Sequence, residues 1–161
     1  MIELERGARD VSGYRKSCHI ILTDADIKRL ISDIEEIHAE KDVFRFNEGY
    51  RTGFDDDFVC INVKGDVFPD LNSKHPRDLM SSRAVLAHEY YGHYEFAPSK
   101  FKSGDWRDEF RASYIAALKA PNLCDKDRAY LMLDAYERAK EAGCPLEYSK
   151  KAREIIYGYN E

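Results

Sequence analysis

The stretch that most constrains this chain is Arg83 to Phe96, RAVLAHEYYGHYEF. It opens as a helix should, with an apolar run from Ala84 to Ala87. It then sets His88 and His93 five residues apart, with Glu89 directly after the first. In a regular α-helix, positions i and i+4 lie ~40° apart, whereas i and i+5 lie ~140° apart. The two histidines can share a face only if one extra residue is absorbed, and a π-bulge does this. Gly92 stands where the backbone needs freedom to distort. The spacing therefore predicts a helix over 82–96 carrying a one-residue bulge.

The residue types suggest why a chain would keep such a distortion. Catalytic zinc takes three protein ligands and leaves a fourth position for water. A nearby carboxylate can then act as general base on that water. His88 and His93 are candidate metal ligands, and Glu89 is the candidate base. The third ligand is sought in DWRDEFRAS, residues 105–113. On that predicted helix Glu109, Ala112, Ser113 and Ala116 share one face, whose small side chains allow close approach to the histidine helix. Trp106, Phe110, Tyr114 and Ala117 form a separate hydrophobic stripe. Arg111 projects elsewhere, free to hold Asp108 or a substrate carboxylate. Glu95 is the rival ligand. It lies seven residues after His88, on the same face of a regular helix, but it conflicts with a bulge at Gly92. Glu109 is favoured. The plainer alternative is an amphipathic helix in which Glu89 and His93 form an i, i+4 pair and His88 is satisfied in the core.

The pattern resembles the dipeptidyl peptidase III family. That family carries His-Glu-x-x-Gly-His in place of HExxH. Its second motif, Glu-Glu-Cys-Arg-Ala followed by an acid, supplies the third zinc ligand. HEYYGH at 88–93 matches the first motif, and Asp108 to Ser113 resembles the second. Asp108 stands where that family has its first Glu, and Ser113 replaces the final acid. The family's chains are several times longer and its motifs lie much farther apart. The resemblance implies a zincin-type site: Zn2+ held by His88, His93 and Glu109, with Glu89 activating water. It does not imply that family's fold or substrate.

The remainder of the chain reads as one domain, 1–161, of α+β class. A strand is expected at 17–22. Thr23 should cap a helix from Asp24 to Glu40, with Ile27, Leu30, Ile31, Ile34 and Ile37 or His38 on its buried face. Strands are expected at 43–46 and 58–63, paired antiparallel around a turn at 49–57. FVCINV at 58–63 reads equally as an edge strand that pairs with an extended peptide or as a central buried strand. Residues 69–81 form a loop with two prolines. Helices follow at 82–96, 105–120, 125–142 and 149–157.

His19 and His38 read as structural. His75 is a loop residue within reach of the site, a lesser candidate for oxyanion stabilisation. Tyr90, Tyr91, Tyr94 and Tyr114 are further candidates for that role. The Asp55–Asp57 run reads as a solvated turn. The net charge of −5 argues against a nucleic-acid or anionic-membrane partner. No run approaches the ~20 apolar residues of a membrane span. MIELERGARD lacks the apolar core of a signal peptide, and Cys18, Cys60, Cys124 and Cys144 form no CxxC pair. A cytoplasmic protein with its cysteines buried is expected. The functional expectation is a zinc metallopeptidase acting on a peptide or protein substrate. The alternative is a non-catalytic helical adaptor of a bacterial or phage system. Oligomeric state is left open.

Overall fold

A computed structural model describes residues 16–98, Phe101 and residues 104–159. The expectations for 1–14, and part of the loop at 97–104, lie outside those residues. The fold is α+β and helix-rich. A small three-stranded sheet and one helix come first, and helices make up the rest.

The expected strand at 17–22 does not form. Lys16–His19 is a 3-10 turn, and Ile20 and Ile21 are exposed. Cys18 and Leu22 of that run are buried. The Leu22 backbone is held by Asn47, whose side chain accepts from Leu22 N–H and donates to Leu22 C=O. Helix α1, Asp24–Glu36, starts where Thr23 predicts. Thr23 Oγ1 accepts from Asp26 N–H, and the Asp26 carboxylate accepts from Thr23 N–H. This reciprocal cap satisfies two donors that would otherwise be orphaned. The helix ends four residues before the expected Glu40. His38 turns left-handed at φ 57°, and Ala39 N–H bonds back to Ile34 C=O. That closure stops a helix. Leu30, Ile34 and Ile37 are fully buried, as the stripe requires.

Strands β1 (Phe44–Phe46), β2 (Gly53–Asp55) and β3 (Cys60–Val63) form a sheet in the order β1-β3-β2. Pairing is mixed. β2 runs antiparallel to β3, with Phe54 opposite Ile61. β1 runs parallel to β3, with Phe44 also opposite Ile61. The expected antiparallel pairing of 43–46 with 58–63 is thus overturned: those two strands run parallel, and the antiparallel partner of β3 is β2, inside the expected turn. The segment after β1 turns at Asn47 and Gly49, both at positive φ. Thr52 is tethered to buried Asp66 by its N–H and hydroxyl, which carries β2 to the far side of β3. β3 is therefore the central strand, and β2 is the edge. The expected turn at 49–57 contains β2. Asp55 Oδ1 accepts from the Asp57 and Phe58 amides at the hairpin tip.

Within the expected loop at 69–81 sits a single-turn helix, α2 (Pro76–Leu79). Helix α3 (Ser82–Ala87), capped by Ser81, runs without a break into the His88–His93 segment. The C-terminal half comprises α4 (Trp106–Lys119), α5 (Asp125–Glu141) and α6 (Lys150–Tyr159). α4 packs on α5, with the Phe110 ring edge-on to Tyr136, and α6 packs on α5 through Ala152 and Ile156. One core spans both halves: Ile34 of α1, Ile61 and Val63 of β3, Leu86 of α3, and Leu131 and Met132 of α5. Among the described residues no helix is long and apolar enough to cross a membrane. All four cysteines are free thiols. Cys18 and Cys60 are buried, but Cys124 and Cys144 are exposed, contrary to the expectation that all four pack inside.

Candidate metal centre

The helix begun by α3 does not stay regular. His88–His93 is one π-helical turn, followed by a 3-10 turn at Tyr94–Phe96. Tyr94 N–H reaches back five residues to Glu89 C=O. This is the bulge the five-residue spacing predicts, and it brings the histidine rings to a 4.9 Å edge-on contact.

Gly92 has a different task from the one expected. Its φ is not in the left-handed region. A Cβ there would sit 2.6 Å from the Cα, Cβ and carbonyl oxygen of Ala112. The residue is small because the π-turn lies directly on α4. Ala112, Ser113 and Ala116 form the buried face of α4 that allows this approach. Arg111 crosses the same junction and donates to Gly92 C=O at 2.8 Å.

Glu109 is delivered across that junction. Its Oε1 lies 2.9 Å from His93 Nε2 and 3.4 Å from His88 Nε2, and the two Nε2 atoms are 3.2 Å apart. Glu95, the rival, is exposed and takes no part in this cluster.

The tautomers follow from the outer contacts. Asp134 is fully buried. Burial opposes its charge, but Arg138 and Arg77 hold its carboxyl far below the usual range. As a carboxylate it only accepts, so Ser113 Oγ–H donates to Asp134 Oδ2 at 2.6 Å. Ser113 Oγ must then accept from His88 Nδ1–H at 2.8 Å. That leaves the His88 Nε2 lone pair facing Glu109. Likewise, Asp108 Oδ2 lies 3.3 Å from His93 Nδ1, and its Oδ1 is held by Arg111 at 2.9 Å. His93 Nε2 then also presents a lone pair inward. Both rings are oriented from behind by a carboxylate, one directly and one through a hydroxyl.

Three electron-pair donors thus converge on one point, and a positive charge must sit there. Side chains alone can supply it only as a proton. Burial disfavours charge on His93, but hydrogen bonds to Asp108 and Glu109, with the Glu89 charge nearby, push its pKa up to about 10. Burial likewise disfavours the Glu109 carboxylate. Arg138 and the two histidines outweigh it and hold its pKa well below the usual range. A metal fits the same point. Zinc binds nitrogen and oxygen at ~2.0–2.2 Å, and tetrahedral geometry then separates ligand atoms by about 3.3 Å. The donor spacings of 2.9, 3.2 and 3.4 Å bracket that value.

Glu89 is buried beside the cluster, its Oε2 3.9 Å from His88 Nε2. It lines, with the three donors, a cleft of about 650 Å³. Phe54 of edge strand β2 stacks parallel to His93 at 6.4 Å and forms one wall.

The other candidates fall away. Tyr90 packs in the core against Phe44. Tyr91 donates to Ile37 C=O. Tyr114 bonds Ser149, and Tyr94 packs on Tyr90 and Phe54. None of the four lines the cleft. His75 caps α2 with Nδ1 accepting from Arg77 N–H at 3.1 Å. Its Nε2 therefore carries the proton and donates to Glu141 at 3.2 Å. A second grouping of His75, Glu137 and Glu141 has metal-like proximity. That tautomer turns an N–H towards it, and Glu141 is already paired with Arg77, so the grouping is a polar network. His19 and His38 are exposed and distant in sequence from the cluster's elements.

Sequence reasoning missed Asp134, Arg138 and Arg77. On α5, Asp134 and Arg138 stand four residues apart, a spacing that by itself marks nothing beyond an i, i+4 ion pair. The available signal was Ser113. A hydroxyl in place of the expected acid needs a carboxylate behind it to orient a histidine.

Comparison with protein-family models, curated proteins and solved structures finds no match for this chain.

Proposed function

We propose that the chain is a zinc-dependent metallopeptidase with His88, His93 and Glu109 as ligands and Glu89 as general base. One observation carries this reading. Two histidines have their outer nitrogens committed to hydrogen-bond acceptors, so both inner Nε2 atoms converge on the Glu109 carboxylate. A packing-only helix has no use for that arrangement. The resemblance of both short motifs to the dipeptidyl peptidase III family supports the same ligand set.

Bound at this point, zinc would lower the pKa of its water to roughly 7 and polarise a substrate carbonyl. Glu89 stands outside the donor triangle, and its carboxylate can take a proton and later return it to the leaving amine. Arg138 and Arg111 line the cleft as cations near any developing oxyanion. An extended peptide could pair with the outer edge of β2, the strand whose Phe54 stacks on His93. A peptide or protein segment suits this open cleft. The free thiols fit a reducing cytoplasm.

The test is metal analysis followed by hydrolysis of a mixed peptide library. The wild type should hold one zinc per chain and cleave. Glu89→Gln should keep the zinc and lose turnover by at least ~100-fold, the scale of a missing general base. Protein purified without chelators that contains no zinc, and takes up none, would refute the assignment. Zinc uptake with no hydrolysis of any library peptide would favour a structural metal in a binding module.

A further inference from the structure

Arg138 is tied to both halves of the donor cluster. Its Nε donates to Asp134 Oδ2 at 3.2 Å, the oxygen that also takes the Ser113 hydroxyl. Its Nη1 lies 3.7 Å from Glu109 Oε2. The two oxygens of Glu109 are thereby divided. Oε1 faces the two imidazole nitrogens, and Oε2 faces the guanidinium. Asp134 is divided too, with Oδ1 held by Arg77 Nε at 2.7 Å.

Carboxylates bind metals through one oxygen or both, and the choice rests on what else the second oxygen touches. A guanidinium beside Oε2 competes with a cation for that oxygen. We propose that Arg138 is a positioning residue that keeps Glu109 a one-oxygen ligand and so holds the fourth coordination position open for water. Without it, Glu109 rotates about its terminal bond, and both oxygens occupy the metal. The same guanidinium shares Asp134 with Arg77, so the relay from Asp134 through Ser113 to His88 keeps a cation when Arg138 is replaced. This rests on the zinc reading above.

The test uses the full chain loaded with Co2+, whose visible bands weaken severalfold when a four-coordinate site becomes five-coordinate. Wild type and Arg138→Lys, which keeps the charge, should show the intense spectrum. Arg138→Gln should still bind one Co2+ per chain, at unchanged or tighter affinity, with a band weakened severalfold and hydrolysis lost. Should Arg138→Gln fail to fold, Arg138→Met, an uncharged side chain of similar length that leaves Asp134 paired with Arg77, is read in the same way, and the same weakened band is expected. An unchanged spectrum in the folded neutral variant overturns the proposal. So does loss of metal binding, because a merely structural arginine would lower affinity. If the wild type takes up no metal at all, the zinc reading fails first, and that outcome is distinct from an unchanged Arg138→Gln spectrum.

Discussion

Gly92→Ala is the sharpest perturbation of this architecture. In an exposed helix, replacing Gly with Ala gains up to ~1 kcal/mol. Here the new methyl would meet Ala112 at 2.6 Å through its Cα, Cβ and carbonyl oxygen. Carbon contacts are comfortable at ~3.5–4.0 Å. Relief therefore needs about 1 Å of separation between the π-turn and α4. Two of the three contacted atoms are backbone, so no side-chain rotation supplies it. Overpacking of this kind costs ~1–3 kcal/mol, enough to cancel the helix-propensity gain and leave a net loss. The shift also falls on the one junction that brings Glu109 to the histidines. Metal sites tolerate ~0.5 Å of misplacement, so zinc affinity should drop at least tenfold. Gly158 on α6 is the matched control, exposed and with nothing within 4 Å of an added Cβ. Gly158→Ala should leave stability unchanged or raise it by up to ~1 kcal/mol. Urea melts and zinc-competition titrations of both variants measure these effects. A Gly92→Ala protein as stable as Gly158→Ala, with wild-type zinc affinity, would refute the close-approach argument.

Other expectations follow from the same geometry. Ser113→Ala breaks the relay from Asp134 to His88 and leaves a buried carboxylate short of a donor. It should lower zinc affinity ~10–100-fold, read by competition titration. Glu109→Ala should lose the metal altogether, whereas Glu95→Ala should not, and metal analysis separates them. In chelator-treated protein, the stability that His93 contributes should be complete below its ordinary value of 6.5. It should fade as pH rises through about 10, because its folded pKa is raised. Glu109, shifted the other way, adds stability above its ordinary 4.5 that is lost on acidification. Melts from pH 3 to 11 should therefore show a plateau between ~4.5 and ~6.5 in the chelated protein. Val59 is β-branched, half-exposed and at φ 51°. Val59→Gly should raise stability by up to ~1 kcal/mol in urea melts, because it removes a left-handed strain of ~1–2 kcal/mol at some cost in unfolded-chain entropy.

Much of the site was legible because its demands are local. Five-residue spacing, a fixed helical pitch and two histidines read as a pair leave a bulge as the way to share a face. Small residues around Glu109 marked the side of α4 that touches something. What was not legible depends on tertiary placement. Asp134 becomes a relay only because α5 lies behind Ser113. Gly92 looked like a hinge because a sequence shows conformational freedom but not an approaching neighbour. The parallel β1–β3 pair was hidden because adjacent short strands suggest hairpins. The side-chain ties of Asn47 to Leu22 and of Thr52 to Asp66 set the course actually taken. The run at 17–22 misled because Cys18 and Leu22 are buried from a 3-10 turn and a connecting segment, while Ile20 and Ile21 between them are exposed.

The π-turn also has an evolutionary reading. Removing Tyr91 would leave His-Glu-Tyr-Gly-His, an ordinary four-residue spacing that a regular helix could present on one face. The two versions of the helix are one in-frame codon apart. The π-turn takes up the extra residue locally, so the deletion would leave His93 and the residues after it on the faces they now occupy. Gly92 would still face Ala112. The insertion is thus confined to the one turn between the two histidines, and the surrounding helices fit the chain on either side of it.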